Sequence, residues 1–88
     1  MFLILNLYNP KVSIKNMHLT IQSNLRGEME ISAKPSDTIH DVKMKLQKRT
    51  GTAAHHQVLF CGDMPMDKDR KLSEITDQEY FTLRLREE

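Results

Sequence analysis

The sequence predicts an α+β domain in which one sheet of four to five strands packs on one helix. Three observations support this prediction. Apolar and polar residues alternate in two early segments and one late segment, a single stretch between them has helical spacing, and 88 residues suffice for only one domain. Because strands are grouped before and after the helix, the α+β class is favoured over an alternating α/β fold.

The first predicted element is a hairpin that begins at Met17. Apolar residues alternate with polar ones over 17–22 and again over 28–34, as expected for strands with one buried face. The five residues between the strands, 23–27, are rich in turn formers and end in Gly27. We therefore expect two antiparallel strands at the start of the domain.

A helix is predicted between Thr38 and Gly51. The Thr38 hydroxyl can accept a hydrogen bond from the amide of Asp41, while the Asp41 carboxylate reaches back, as in a capping box. Gly51 can adopt the left-handed conformation that ends a helix. The apolar residues on its buried face are Ile39, Val42 and Leu46.

The second half of the sequence predicts a third strand over His56–Cys61 and a last strand around Leu83 and Leu85. Pro65 excludes a central strand at its own position, because proline cannot donate to a sheet ladder. Residues 72–75 have the pattern of a short helical turn. The predicted order is β, β, α, β, a short strand or turn, and β.

Composition excludes several classes of protein. The net charge of +1 provides no bulk attraction to nucleic acid or to an anionic membrane. The single cysteine allows no internal disulfide, as expected of a protein from a reducing intracellular compartment, cytoplasmic or nuclear. The apolar start lacks the features of a signal peptide, and no apolar run approaches the length of a spanning helix.

No group of residues predicts a catalytic or metal site. His55 and His56 are adjacent, so in an extended segment their side chains would face opposite ways and could not chelate one metal. Cys61 has no orienting partner at a suggestive spacing. The basic residues of 68–71 are interleaved with acidic ones, which favours a solvated loop over an RNA site. We expect no enzymatic activity, no cofactor and no nucleic-acid partner.

Taken together, these segments resemble the ubiquitin family from Met17 to Arg86. The order and spacing of the shared residues are specific: Pro35-Ser36-Asp37-Thr38-Ile39, Val42-Lys43, Lys45, Gln47, Gly51, Leu59-Phe60-Cys61-Gly62, Arg70, Leu72-Ser73 and Thr82-Leu83-Arg84-Leu85. The resemblance implies a β-grasp fold, in which a mixed sheet wraps the helix and the first and last strands pair in parallel. It also divides the chain into an extension over 1–16 and a ubiquitin-like domain over 17–88.

Conjugated members of that family end in a flexible tail with two glycines, and this sequence contains no glycine pair. Using Leu83 and Leu85 as a tail would remove both from the core, at a cost of roughly 2 to 5 kcal/mol each. We therefore expect a domain that is recognised noncovalently. The alternative is a modifier conjugated to targets, which the missing glycine pair disfavours.

The resemblance implies recognition through the open face of the sheet. We align the sequence with one deletion at 52–54 and one insertion near Met64. The matching positions are then Leu59, Arg84 and Arg86, with Leu25 in the hairpin loop and with Gln57 and Gly62 near Leu59. Alternation places Leu59 opposite to its neighbours, which predicts a small apolar anchor rimmed by arginines. The alternative interpretation is that these are ordinary surface residues.

The family implies protein partners such as ubiquitin-binding motifs, ubiquitin-associated domains or proteasome receptors. We expect a monomer with no membrane partner. We expect residues 1–16 to be a mobile arm or an upstream reading-frame extension, since Asn9-Pro10 interrupts them. The alternative is that 11–15, which alternate, add a strand to the sheet edge.

Overall fold

The computed structural model describes residues 16–88, so the predictions for the preceding residues lie outside the described part. The strands are β1 (Met17–Ser23), β2 (Gly27–Ala33), β3 (Gln57–Cys61), β4 (Met64–Pro65) and β5 (Tyr80–Glu87). The helices are α1 (Ile39–Thr50) and the short α2 (Leu72–Ile75), and a 3-10 turn covers Ala54–His56. The predicted α+β class is confirmed, with five strands and one main helix.

The strands form one mixed sheet in the order β2-β1-β5-β3-β4. β1 and β2 are antiparallel, with Met17 opposite Ala33, and Gly27 begins β2 with a φ of 75°. β1 and β5 are parallel, with Ile21 opposite Leu83. The first and last strands therefore pair at the centre of the sheet, which confirms the arrangement that the family resemblance implied.

Both ends of α1 form as the sequence predicts. Thr38 Oγ1 accepts a hydrogen bond from the Asp41 amide at 3.2 Å, and Asp41 Oδ2 accepts one from the Thr38 amide at 2.9 Å. The hydrogen bond from the Thr38 backbone is the main cause that lowers the pKa of the Asp41 carboxyl below its ordinary value. Gly51 ends the helix with a φ of 80°, and its amide donates to the Gln47 carbonyl.

The core lies between α1 and one face of the sheet. Ile39, Val42 and Leu46 of α1 are fully buried, as are most apolar residues of the central strands. Leu83 and Leu85 are 0% and 2% exposed, so the last strand supplies the core as predicted. The helices of the described part, 16–88, include none with the length and apolarity needed to cross a membrane.

The third strand begins one residue later than predicted. Ala54–His56 forms a 3-10 turn, closed by a 2.9 Å hydrogen bond from the His56 amide to the Ala53 carbonyl. In this turn the ring centroids of His55 and His56 are only 4.2 Å apart. The prediction that these rings point to opposite faces is therefore wrong, because it assumed an extended backbone.

Candidate protein-binding face

Leu59, the predicted exposed anchor, lies in the core instead. Its side chain is 0% exposed, and it is directly opposite the buried Leu85 on β5. Residues that face each other across two strands share one side of the sheet. The predicted exposure of Leu59 is therefore wrong, because the alignment with a deletion before β3 shifts the strand by one residue and inverts its two faces.

Gln57, which shares the inward face of β3 with Leu59, is also buried, with 2% of its surface exposed. Its Nε2 donates to the Lys43 carbonyl at 3.0 Å and to the Thr52 carbonyl at 2.9 Å. These hydrogen bonds tie β3 to α1 and to the loop that follows the helix. Gln57 therefore supports the fold, and its predicted place among the partner-contacting residues is wrong.

The residues that β3 presents on the open face are Val58 and Phe60. Phe60 lies opposite Arg84, while Val58 lies opposite Arg86. The guanidinium carbons of Arg84 and Arg86 are 5.2 Å and 5.3 Å from the centroid of the Phe60 ring. Both distances fall within the range of a cation–π contact, so the half-buried ring and two exposed arginines form one unit. We call Phe60, Arg84 and Arg86 the aromatic–arginine patch.

Two acidic residues balance part of the charge of this patch. Arg84 Nη1 is 3.5 Å from Asp63 Oδ1, and Arg86 Nη2 is 2.8 Å from Glu88 Oε2. All four side chains are about half exposed or more, so each pair contributes little stability. A partner carboxylate can therefore replace these acids at small cost. Gly62 is exposed and has a φ of 62°, which serves the tight two-residue turn, Gly62-Asp63, between β3 and β4.

An open groove of about 250 Å³ runs beside the patch. Its lining residues are Gln22, Asn24, Phe60, Arg84, Leu85 and Arg86. Leu25 follows Asn24 in the β1–β2 turn and is 67% exposed. The Ser23 hydroxyl accepts hydrogen bonds from the Leu25 and Arg26 amides at 3.1 and 3.2 Å, which hold this turn at the edge of the groove.

A buried carboxylate fastens the end of β5 behind this groove. Glu87 Oε2 lies 3.0 Å from Arg26 Nε and 3.0 Å from Ser23 Oγ, and Thr52 Oγ1 donates to Glu87 Oε1. The Arg26 hydrogen bonds are the main cause that holds the pKa of the Glu87 carboxyl below its ordinary value. We call this group the Glu87 clasp; it joins β5, the β1–β2 turn and the loop after α1.

The comparison with known protein families agrees with this architecture. A sequence model described as the ubiquitin family matches residues 13–87, which is most of the chain. The chain belongs to the ubiquitin family. The match begins four residues before the predicted domain start at Met17 and ends at Glu87, the last residue of β5.

Within this ubiquitin-family domain, the open face has a second aromatic feature near the start of β5. His18 and Tyr80 lie opposite each other on the parallel strands, with ring centroids 4.8 Å apart and planes inclined by 16°. His18 Nε2 is 3.8 Å from Glu79 Oε2. Tyr80 is well exposed, so the same face presents aromatic surface at both ends of β5.

Phe60 was not predicted as an outward-facing residue, because β3 has no alternation of apolar and polar residues. Val58, Leu59 and Phe60 are all apolar, and a continuous apolar run does not reveal which residues face inward. Gln57 gave no sequence signal either, because a polar residue is expected on the exposed face, whereas the structure buries its amide against the Lys43 and Thr52 carbonyls.

Proposed function

We propose that this ubiquitin-family domain is a noncovalent protein-interaction module that partners recognise through the aromatic–arginine patch. The observation that carries the proposal is the Phe60 ring on the open face with two guanidinium groups within 5.3 Å of its centroid. Aromatic residues and arginines dominate the binding energy of protein interfaces. The remainder of the described sheet offers no comparable cluster of an apolar ring and two arginines.

The chemistry of the patch defines its partner. Phe60 offers apolar surface for one aliphatic or aromatic side chain, and the arginines attract carboxylates on either side of it. A helix or loop with one apolar residue between acidic residues meets both requirements. Ubiquitin-binding motifs, ubiquitin-associated domains and proteasome receptors are the partner classes that we propose, with the domain acting as an intracellular adaptor.

Conjugation to targets is the rival function. Against it, Leu83 and Leu85 are in the core, and the Glu87 clasp holds the last residue of β5. These residues therefore do not form a free ribbon that a conjugating enzyme can enclose. Incubation of the full chain with activating enzyme and ATP should produce no thioester, and a thioester sensitive to reducing agent would favour the rival.

The proposed recognition is tested by a Phe60→Ala variant and a matched Met44→Ala control. Met44 is an exposed apolar residue on α1, on the other side of the sheet from Phe60. We expect Phe60→Ala to weaken binding of a ubiquitin-associated domain by about 1–2 kcal/mol, roughly five- to thirtyfold, while Met44→Ala leaves it unchanged.

Thermal unfolding of both variants must show that each is folded at the temperature of the binding measurement. Equal affinity of wild type and Phe60→Ala for a partner that binds wild type would contradict recognition through the patch. A loss of the same size in Met44→Ala would also contradict it, because that outcome assigns the effect to the helix side.

A further inference from the structure

A second groove lies on the helix side of the domain, away from the aromatic–arginine patch. His40 and Lys43 of α1, Ala54 and His55 of the 3-10 turn, and Lys68 of the β4–α2 loop line it. The groove encloses about 270 Å³. We call it the basic groove, because every ionisable side chain in its lining is a lysine or a histidine.

The lysine amines of the basic groove are available to a ligand. Among residues 16–88, the ion pairs include neither Lys43 nor Lys68. Two nearby carboxylates accept hydrogen bonds from backbone amides and keep their negative charge, but neither lies in the lining of the groove. Asp41 Oδ2 accepts from the Thr38 amide at 2.9 Å, and Asp67 Oδ1 accepts from the Asp69 amide at 3.2 Å. The positive charge of the groove is therefore not neutralised by its own lining.

Backbone hydrogen bonds fix the walls of the basic groove. The His40 amide donates to the Lys68 carbonyl at 3.0 Å, which joins the loop to the first turn of α1. The Lys43 carbonyl accepts from Gln57 Nε2 at 3.0 Å, which joins α1 to β3. Since the His40 amide already has a partner, an anion would be bound by side chains and not by that backbone group.

We propose that the basic groove binds a short acidic segment of a protein partner. Charge complementarity favours it, because unpaired lysines on fixed walls attract carboxylates with little reorganisation. A nucleic-acid strand fits less well. The lining has no Phe, Tyr or Trp ring on which bases stack.

This site is independent of the proposed recognition through Phe60. α1 packs on the face of the sheet opposite to the open face, so one partner segment on each side can bind at the same time. A partner that presents an apolar residue to Phe60 and an acidic segment to the basic groove would gain affinity from both contacts.

The test uses an acidic peptide of alternating Glu and Ser as the probe, titrated into the full chain and followed by NMR and calorimetry. We expect amide shifts to be largest at His40, Lys43, His55 and Lys68. The Lys43→Ala/Lys68→Ala variant should bind about three- to twentyfold more weakly, and raising NaCl from about 0.05 to 0.5 M should weaken binding to wild type. The matched control is Lys34→Ala/Lys48→Ala, which removes two exposed lysines outside the groove and should change affinity less than twofold.

Lys68→Ala alone, in an exposed loop, repeats the test if the double variant is unstable. An equal loss in the control variant, unchanged affinity in both groove variants, or tighter binding of inorganic phosphate or of a single-stranded RNA oligonucleotide would overturn the proposal. Phe60→Ala should bind the acidic peptide as wild type does. Weaker binding of the peptide by Phe60→Ala would place the peptide on the open face and overturn the groove assignment. If instead the proposed partner recognition through Phe60 fails its own test, the result of this peptide titration is unaffected.

Discussion

Replacing Glu87 by glutamine tests whether the Glu87 clasp stabilises the last strand. The carboxylate accepts from Arg26 Nε at 3.0 Å and Nη2 at 3.1 Å, from Ser23 Oγ at 3.0 Å, and from Thr52 Oγ1. Only 2% of the Glu87 side chain is exposed, whereas 39% of Arg26 is exposed. Hydrogen bonds to a charged group contribute about 1.5–3 kcal/mol, and solvent at Arg26 reduces that amount.

We therefore expect Glu87→Gln to lower the free energy of unfolding by about 1.5 kcal/mol at pH 7. For a domain of this size that loss corresponds to a decrease in Tm of roughly 6–12 °C. Urea unfolding followed by circular dichroism measures the free energy, and an Arg26→Ala variant with the double variant completes a cycle. The coupling between the two side chains should be about 1 kcal/mol.

The pH dependence separates the charge from the shape of the side chain. The pKa of the Glu87 carboxyl is lower in the folded protein than its ordinary value of 4.5. Its contribution is therefore fully present above about pH 4.5 and is lost as the pH falls through the folded-state pKa. The difference between wild type and Glu87→Gln should shrink at pH 3. Equal stability at pH 7, or the same difference at pH 3, would refute the clasp.

Three further variants test the fold that positions the site. Leu59→Ala should lower the free energy of unfolding by about 2–5 kcal/mol in urea, because it opens a cavity in the core; a marginal loss would mean that Leu59 is not buried. Thr38→Ala should lower the free energy of unfolding by about 1 kcal/mol and slightly reduce the helical circular dichroism signal, because it removes the N-cap of α1. An unchanged free energy of unfolding would contradict the capping hydrogen bonds. Gly51→Ala should lower the free energy of unfolding by about 1–2 kcal/mol, measured by thermal unfolding. A Cβ at this position meets no neighbouring atom, so the loss comes only from the strain of alanine in the left-handed conformation. A stabilised variant would exclude that backbone conformation.

The sequence predicted the elements whose pattern is unambiguous. The ends of α1 follow from Thr38, Asp41 and Gly51, because capping chemistry is local. The burial of Leu83 and Leu85 follows from the clean alternation of the last strand. In β3 three successive apolar residues gave no alternation, so the choice of outward residue rested on an alignment, and a shift of one position selected Leu59 in place of Phe60.

The features that depend on distant residues could not be predicted from sequence. Glu87 sits next to another glutamate and has the pattern of an exposed acid, yet its partners Ser23, Arg26 and Thr52 are 64, 61 and 35 positions away. Lys68, between two aspartates, has the pattern of a solvated loop. Its place in the basic groove depends on where α1 and the 3-10 turn lie relative to the loop, which only the tertiary structure shows.

The most direct measurement of recognition through the open face is an NMR titration of the isotope-labelled chain with an unlabelled ubiquitin-associated domain. We predict that the largest amide shifts lie at Phe60, Arg84 and Arg86, and that charge reversal by Arg84→Glu/Arg86→Glu abolishes them while the spectrum of the free domain stays dispersed. Shifts confined to α1 and its loops, with the open face unchanged, would contradict the proposal.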